Sequence, residues 1–390
     1  MARLRSIFSF LYKNEIRAFL FQLLALLAVA YFFYSAAGNL FTNIEKLGFR
    51  TGFDFLNLEA GFDIDEHLID YSTTSSNLRV FYVGLINTIL VSFVGIVFAT
   101  LIGLIVGISR LSNNWLISKL ASGYIELFRN IPILLQILFW YNILLISLPH
   151  PRKSIEFFDS IFINLRGIYL PKPIAESGFI WVVLVFLAGI LLSIWIKRLL
   201  KKKHDSTGVS GHISGYLLLL LVALPGLLYW WLGSPLHFDY PALKSFNFQG
   251  GMSLSPEFLA LLCALSIYTA TYIAEAIRSG IESVDKGQKE AAQAMGLTSG
   301  QSLKLVVLPQ ALRVAIPPII NQYLNLTKNS SLATAIGYSE LVSIFAGTVL
   351  NQVGQALEII LMTMAVYLTL SLLISLVLNI VNHKIRIKQR

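Results

Sequence analysis

Two pairs of oppositely charged residues stand out in a sequence with few charges. Glu126 and Arg129 are three residues apart, and so are Glu275 and Arg278. At this spacing the two side chains of a pair share one face of a helix. Ionisable residues at membrane depth commonly line substrate or ion paths, so either pair could hold a charged molecule. The alternative is that each is an ordinary i,i+3 ion pair near a helix end.

A third candidate is a polar stretch inside an otherwise apolar region near the C-terminus. It contains one cation and three amides, at Asn321, Gln322, Asn325 and Lys328. A hydropathy window alone would pass over this stretch as a membrane span. Its polar side chains make it a second candidate lining of a path for charged molecules.

The sequence indicates neither an enzyme nor a bound metal or cofactor. The six histidines are scattered through loops without an i,i+4 pair, at His67, His150, His204, His212, His237 and His383. The single cysteine, Cys263, excludes a disulfide within the chain and a cysteine metal cluster. No G-x-x-x-x-G-K-[ST] phosphate loop occurs, so any nucleotide hydrolysis must come from another chain.

Composition then defines the elements that must position these residues. The 390 residues are 56% hydrophobic and only 13% charged, which excludes a soluble globular protein. Seven apolar runs are long enough to cross a bilayer, and the polar stretch is an eighth span that the distribution of charges supports, so we predict an all-α polytopic membrane protein with about eight transmembrane helices. The predicted spans are 18–37, 83–108, 131–148, 179–196, 213–232, 258–277, 319–345 and 359–381. The first run could alternatively be a secretory signal peptide.

The distribution of Lys and Arg predicts the orientation. With eight spans, the loops on the side of both termini carry 20 of the 30 Lys and Arg residues, and the opposite loops carry eight. The positive-inside rule therefore places both termini in the cytoplasm. It also explains the net charge of +9 and the basic run Lys197–His204, which could otherwise be interpreted as a patch for nucleic acid or anionic lipid.

The loop after the span 258–277 has the pattern of two short helices joined by a turn. Gly296 stands where a left-handed residue would end the first helix, with Leu297 making the contact back to Ala292. Thr298 and Gln301 form a capping box that opens a second helix through Val307. We expect Pro309 to restart or kink that helix, and Pro317 and Pro318 to stop it before the membrane. Ala291 and Ala292 should give the first helix a small face that another protein can approach.

Several blocks of this region resemble one family. Glu290-Ala291-Ala292, then Gly296, then Val306-x-Leu308-Pro309 are similar to the EAA signature of membrane subunits of bacterial ABC importers, with Val306 in place of the usual Ile. The flanking residues from Tyr272 to Gly280 and from Lys328 to Leu332 resemble the polar amino-acid branch of that family. The block from Glu126 to Gln136 does so as well, although Asn130 and Ile131 depart from the usual Gly and Thr. The extra N-terminal span and the two-span insertion resemble the general L-amino-acid permeases of Gram-negative bacteria.

The resemblance implies a five-span type I ABC importer permease core with three additional spans, in the bacterial inner membrane. It implies four kinds of partner: an ABC ATPase dimer that binds ATP and Mg, a second permease subunit of paralogous sequence, a periplasmic amino-acid-binding protein, and membrane lipid. The substrates would be broad-range or polar L-amino acids.

The resemblance also assigns roles to residues. The contact with the ATPase would be made by Glu290, Ala291, Ala292, Gly296, Leu297, Leu308 and Pro309. A zwitterionic substrate needs a cation near its carboxylate and an acceptor near its ammonium group. The candidate substrate path is therefore Glu126, Arg129, Gln136, Asn321, Gln322, Asn325 and Lys328.

The chain is expected to divide into five segments. These are an N-terminal helix with an acidic periplasmic loop (1–78), the first part of the core (79–148), an insertion with two extra spans (149–256), the second part of the core with the EAA loop (257–382), and a basic cytoplasmic tail (383–390). An ion-coupled secondary transporter is the alternative function, because a polar span and intramembrane Glu residues would also serve ion coupling. That alternative does not explain the EAA block. A membrane-embedded enzyme is a further class, but it would need clustered catalytic groups that the sequence lacks.

Overall fold

The computed structural model describes residues 14–48, 51–207, 214–244 and 247–385. Some basic residues behind the predicted orientation lie outside these ranges, among them Arg3, Arg5, Arg386, Lys388 and Arg390. The predicted tail 383–390 falls mostly outside them as well.

The described chain is mostly helical, as predicted. The helices are α1 (Asn14–Leu47), α2 (Asn77–Arg110), α3 (Trp115–Asn130), α4 (Ile133–Ser147), α5 (Phe179–Thr207), α6 (Ser214–Trp231), α7 (Pro256–Glu282), α8 (Lys286–Ala294), α9 (Ser299–Ser302), α10 (Leu308–Asn329), α11 (Leu350–Val353) and α12 (Ala356–Ile385). Short 3₁₀ turns lie at Asp54–Asn57, Pro151–Lys153 and Ser330–Ile336, and π-helical turns at Leu303–Val307 and Val342–Val349.

The predicted number of eight spans is not confirmed. Six described helices are long and apolar enough to cross a membrane, and the bent pair α3 and α4 raises the number to seven. In the predicted span 213–232 the structure has helix α6 (Ser214–Trp231), whose part Leu221–Trp231 is counted with the shorter apolar helices and not with the six spans.

The predicted span 131–148 is only the second half of a broken element. Helices α3 and α4 meet at an angle of 104°. The break falls at Ile131 and Pro132, because proline disfavours a helical conformation in the residue before it. Pro132 therefore marks the bend between α3 and α4.

The described part of the insertion contains eight short strands that the all-α prediction did not include. Strands β1 (Ile155–Phe157), β2 (Ile161–Asn164), β3 (Gly167–Leu170) and β8 (Met252–Leu254) form an antiparallel sheet in the order β1-β2-β3-β8. The pairs β4 (Lys172–Ala175) with β5 (Leu236–Asp239), and β6 (Ala242–Lys244) with β7 (Asn247–Gln249), are two-stranded. Phe162, Tyr169 and Phe248 form the aromatic core of this region. Strands of three or four residues are too short to show a clear alternating pattern in the sequence.

One compact unit comprises residues 1–89 and 339–377. Its acidic loop is folded, because Phe55 and Ile64 are buried with Phe345 and Ile359. The Tyr71 hydroxyl donates a 2.6 Å hydrogen bond to the Phe62 carbonyl, and partial burial raises the pKa of this phenol.

The second unit comprises residues 90–338 and 378–390. Helix α7 is its central element and packs against α3, α4 and α10. The core includes Ile137 of α4, Leu261 and Leu265 of α7 and Leu326 of α10. All the predicted coupling and substrate residues belong to this unit.

Candidate functional site

The segment between α7 and α10, residues 283–307, is called the EAA loop below. Its first helix, α8, begins after Asp285, whose carboxylate accepts a 2.6 Å hydrogen bond from the Gly287 backbone N–H. An Asp at this position satisfies a donor that the first helical turn leaves free. The start of the helix is therefore determined locally.

The end of α8 is the turn expected from the sequence. Gly296 has φ +79°, and its N–H donates to the Gln293 carbonyl at 2.9 Å. The Leu297 N–H donates to the Ala292 carbonyl at 3.1 Å. These two bonds define a Schellman motif, which requires a left-handed residue at the position of Gly296.

The second half of the loop begins with the predicted capping box. The Thr298 N–H donates to the Gln301 side chain at 2.9 Å, and the Gln301 N–H donates to the Thr298 hydroxyl at 3.4 Å. Helix α9 is short and continues through the π-helical turn into α10, which starts at Leu308. Pro309 has no N–H to donate, and the wider π-helical turn precedes it.

We predicted that Ala291 and Ala292 form a small, accessible face of α8, and this prediction is wrong for Ala292. Ala292 is only 3% exposed and is the buried residue of α8, whereas Ala291 is exposed. Helix α8 packs against α9 and the π-helical turn, so the side that faces them must carry a small residue. The outer surface instead presents Glu290, Ala291 and Met295, which we call the loop surface.

Met295 was missed by sequence reasoning. It is 78% exposed at the end of α8, and Leu308 at the start of α10 is 40% exposed. An exposed apolar side chain of this size, in a loop outside the predicted spans, is available for a contact with another protein. The signal was its position directly before Gly296.

The expectation that Pro317 and Pro318 stop the helix is wrong. Helix α10 runs through both prolines to Asn329, and Ser299–Ile336 qualifies as a membrane span. Both prolines are exposed. On its buried side, α10 packs closely against α7, where a Cβ on Gly280 would lie 2.6 Å from the Ala311 carbonyl oxygen. Packing against neighbouring helices allows prolines within membrane helices.

The predicted seventh span also ends before residue 345. After α10, a 3₁₀ turn leads to Gly337, which has φ +79° and terminates the segment. The candidate span therefore starts and ends earlier in the chain than 319–345.

The polar residues of α10 lie together. Asn321, Asn325 and Lys328 are exposed at spacings of four and three residues, so they share one face of the helix, called the polar face below. Gln322 lies half-buried beside it.

Glu126 and Arg129 do not form the ion pair that the alternative interpretation expected. Within the described ranges Glu126 is exposed and has no ion pair, and the Arg129 guanidinium carbon lies 5.3 Å from the centre of the Tyr272 ring. This is a cation–π contact. For Glu275 and Arg278 the same alternative is confirmed, with Nη2 and Oε1 2.5 Å apart.

Gln136 stabilises the break between α3 and α4. Its amide nitrogen donates to the carbonyls of Phe128 at 2.7 Å and Ile131 at 3.0 Å. These carbonyls lose their helical partners at the break. The Gln136 side chain is only 3% exposed. Its hydrogen bonds at the break are a structural role in addition to the predicted place on the substrate path.

Arg313 of α10 was also missed. Its Nε and Nη2 atoms are buried and have no hydrogen-bond partner among the described residues. A buried guanidinium without an acceptor is costly. Arg313 is therefore a candidate contact for a group outside this chain.

Comparison with known proteins agrees with the resemblance. The family described as "Binding-protein-dependent transport system inner membrane component" matches residues 213–387. The general L-amino acid transport system permease protein AapQ of Rhizobium johnstonii is 46% identical over 98% of this chain and 95% of AapQ. The glutamate/glutamine/aspartate/asparagine transport system permease protein BztB of Rhodobacter capsulatus is 39% identical over 97% of this chain and 96% of BztB. YhdX of Escherichia coli, provisionally named an amino-acid ABC transporter permease, is 51% identical over 96% of this chain and 95% of YhdX.

Proposed function

The chain belongs to the permease subunits of amino-acid ABC transporters, the inner-membrane components of binding-protein-dependent transport systems, and from this premise we propose how its parts serve transport. The protein is a multi-pass membrane subunit and not an enzyme. We propose that both its termini lie in the cytoplasm, which the distribution of Lys and Arg supports.

The EAA loop is the proposed contact with the ATPase. The observation that carries this proposal is the rigid pair of helices, in which Asp285, Gly296 and the capping box determine every turn. Glu290 and Met295 project from it, and the sequence has no phosphate loop of its own. ATP and Mg would therefore bind the partner ATPase, and this loop would sense its state.

The substrate path is the proposed role of Arg129 and the polar face of α10. Lys328 and Arg129 are cations able to meet a carboxylate, while Asn321 and Asn325 offer acceptors to an ammonium group. The face lies within a candidate membrane span, where contact with lipid would be costly. We propose that the face lines the path together with a second, paralogous permease subunit, and that lipid surrounds the remaining apolar helices.

The proposed substrates are polar L-amino acids over a broad range. AapQ is named for general L-amino acids and BztB for four acidic or amide amino acids, and both align along nearly the whole of this chain. A path that recognises the common ammonium and carboxylate groups would accept many side chains.

The test is uptake by proteoliposomes that contain the complete complex. We expect uptake of labelled glutamine or glutamate to require ATP on the ATPase side and loaded periplasmic binding protein, and to persist when ionophores collapse all ion gradients. Uptake driven by an ion gradient without ATP would support the secondary-transporter alternative and contradict this proposal. Competition among amino acids in the same assay measures the substrate range.

A further inference from the structure

The C-terminal part of α2 packs so closely against helix α7 that the two backbones almost touch. A Cβ on Gly103 would lie 2.7 Å from Cγ2 of Ile273, and a Cβ on Gly107 would lie 2.9 Å from the Ala274 carbonyl oxygen. The two glycines have the GxxxG spacing that allows membrane helices to pack closely. No larger side chain fits at either place without moving one of the helices.

An ion pair joins the same two helices beside this contact. Arg110, the last residue of α2, donates from Nη1 to Oε2 of Glu275 on α7. Both side chains are about three-quarters buried, with 25% and 28% of their surfaces exposed. The other oxygen of Glu275, Oε1, accepts from Arg278 at 2.5 Å. One carboxylate thus serves two arginines, one from a neighbouring helix and one from its own.

The same helix α7 carries the EAA loop. Asp285, which starts α8, follows three residues after the end of α7. The base of the loop is held on its other side by α10, because Val284 is buried with Val307 and Ala311. Gly280 lets α7 and α10 approach closely at this point. A displacement of α7 would therefore carry α8 with it.

We propose that the ion pair between Arg110 and Glu275 is a positioning contact that makes the C-terminal part of α2 and helix α7 move as one body during transport, so that the EAA loop follows α2. The proposal rests on the proposed coupling role of that loop. Gly103 and Gly107 provide the close fit, and the ion pair prevents the helices from sliding or rotating past each other. A close contact that does not slip transmits a displacement of one helix to the other, which is what a coupling element requires.

The experiment compares two arginines that share one carboxylate. Arg110→Gln removes the bond between helices, whereas the matched control Arg278→Gln removes only bonds within α7. We expect Arg110→Gln to assemble, to retain basal ATP hydrolysis and to lose about tenfold in the hydrolysis stimulated by loaded binding protein, the effect of one hydrogen bond between charged groups. Arg278→Gln should remain within about twofold of the wild type, because its bonds to Glu275 and Glu282 lie within α7 and do not connect α7 to α2. The measurement is ATPase activity of the reconstituted complex with and without loaded binding protein.

Conservative variants separate positioning from simple stability. Arg110→Lys keeps the charge and a single donor, so it should restore most of the stimulation. Glu275→Asp keeps the charge but has a shorter side chain, so it should weaken the stimulation of ATP hydrolysis while the protein reaches normal membrane levels. If Arg110→Gln fails to assemble, Glu275→Asp takes its place in the comparison.

Three results would overturn the inference. The first is normal stimulation in Arg110→Gln. The second is an equal loss in Arg110→Gln and Arg278→Gln, which would show that the cluster only stabilises the fold. The third is a wild-type complex without any stimulation by loaded binding protein, which would also overturn the proposed function. The first two results would leave the proposed function intact.

Discussion

The loop surface and the polar face of α10 both present polar groups to the outside of this chain, but at very different energetic cost. Glu290 on the loop surface can be solvated by water. Lys328 on the polar face belongs to a candidate membrane span, where a cation facing lipid costs about 2.5–3.5 kcal/mol. The polar face therefore requires protein or water opposite it, whereas the loop surface does not.

The two surfaces are therefore assigned a function on different kinds of evidence. The loop surface is defined by its shape, because two turns and a buried alanine hold α8 in place. The polar face is defined by its chemistry, because three polar residues recur on one side of a helix. We expect loop variants to reduce stimulated ATP hydrolysis, and substrate-path variants to reduce uptake while stimulation remains.

The largest effect is expected for Gly296→Val. A Cβ at this left-handed position costs roughly 1–2 kcal/mol, and a β-branched side chain costs more, so the turn should open and misdirect α9. We expect normal membrane levels, background uptake and no stimulated ATP hydrolysis. Gly300→Val is the matched control, because Gly300 has open space around it and no positive φ. If Gly296→Val retained wild-type stimulation of ATP hydrolysis, the EAA loop would be an ordinary connecting segment and not the contact with the ATPase.

Substitution of the two alanines by tryptophan should give different defects. Ala292→Trp places a large ring in a buried site, and overpacking costs typically about 1–3 kcal/mol, so we expect a disturbed loop and a lower melting temperature of the complex. Ala291→Trp should leave the melting temperature unchanged and weaken binding of the ATPase. Pull-down of the ATPase by the solubilised permease, together with thermal unfolding, measures both. Identical behaviour of the two variants would contradict the assignment of Ala291 to the outer surface.

Arg129→Ala should reduce uptake at the substrate path by about tenfold or more, because a hydrogen bond between charged groups contributes roughly 1.5–3 kcal/mol. Stimulated ATP hydrolysis should persist. Arg129→Lys should recover only part of the uptake, because an ammonium group lacks the bidentate geometry of guanidinium. Leu127→Ala, an exposed apolar position on the same helix, is the control and should transport close to normally. Normal uptake in Arg129→Ala would remove this residue from the path.

The smallest effect is expected for Asn325→Leu, on the polar face. Losing one neutral hydrogen bond costs about 0.5–1.5 kcal/mol, which corresponds to a change of roughly twofold to tenfold in uptake. The effect should appear mainly in the concentration of loaded binding protein or substrate needed for half-maximal uptake. Val314→Ala, an exposed apolar position on the same helix, serves as the control. A larger loss in the control would show that the face is sensitive to packing and not to polarity.

The sequence alone determined the local structure of the EAA loop. The Gly296 turn and the Thr298–Gln301 capping box depend on contacts within six residues, so their patterns are sufficient to predict them. The membrane character and the family also followed from the sequence, because apolar content and the EAA blocks are properties of residue order.

Only the tertiary structure decided the features that depend on distant packing. Ala292 is buried because the second half of the loop folds back on α8, and α10 continues through Pro317 and Pro318 because α7 packs along its other side. Arg129 contacts the ring of Tyr272, which is far away in the sequence, and within the described ranges it forms no ion pair with its i−3 neighbour Glu126. Spacing describes what can meet along one helix, whereas the choice among possible partners depends on which helices are brought together.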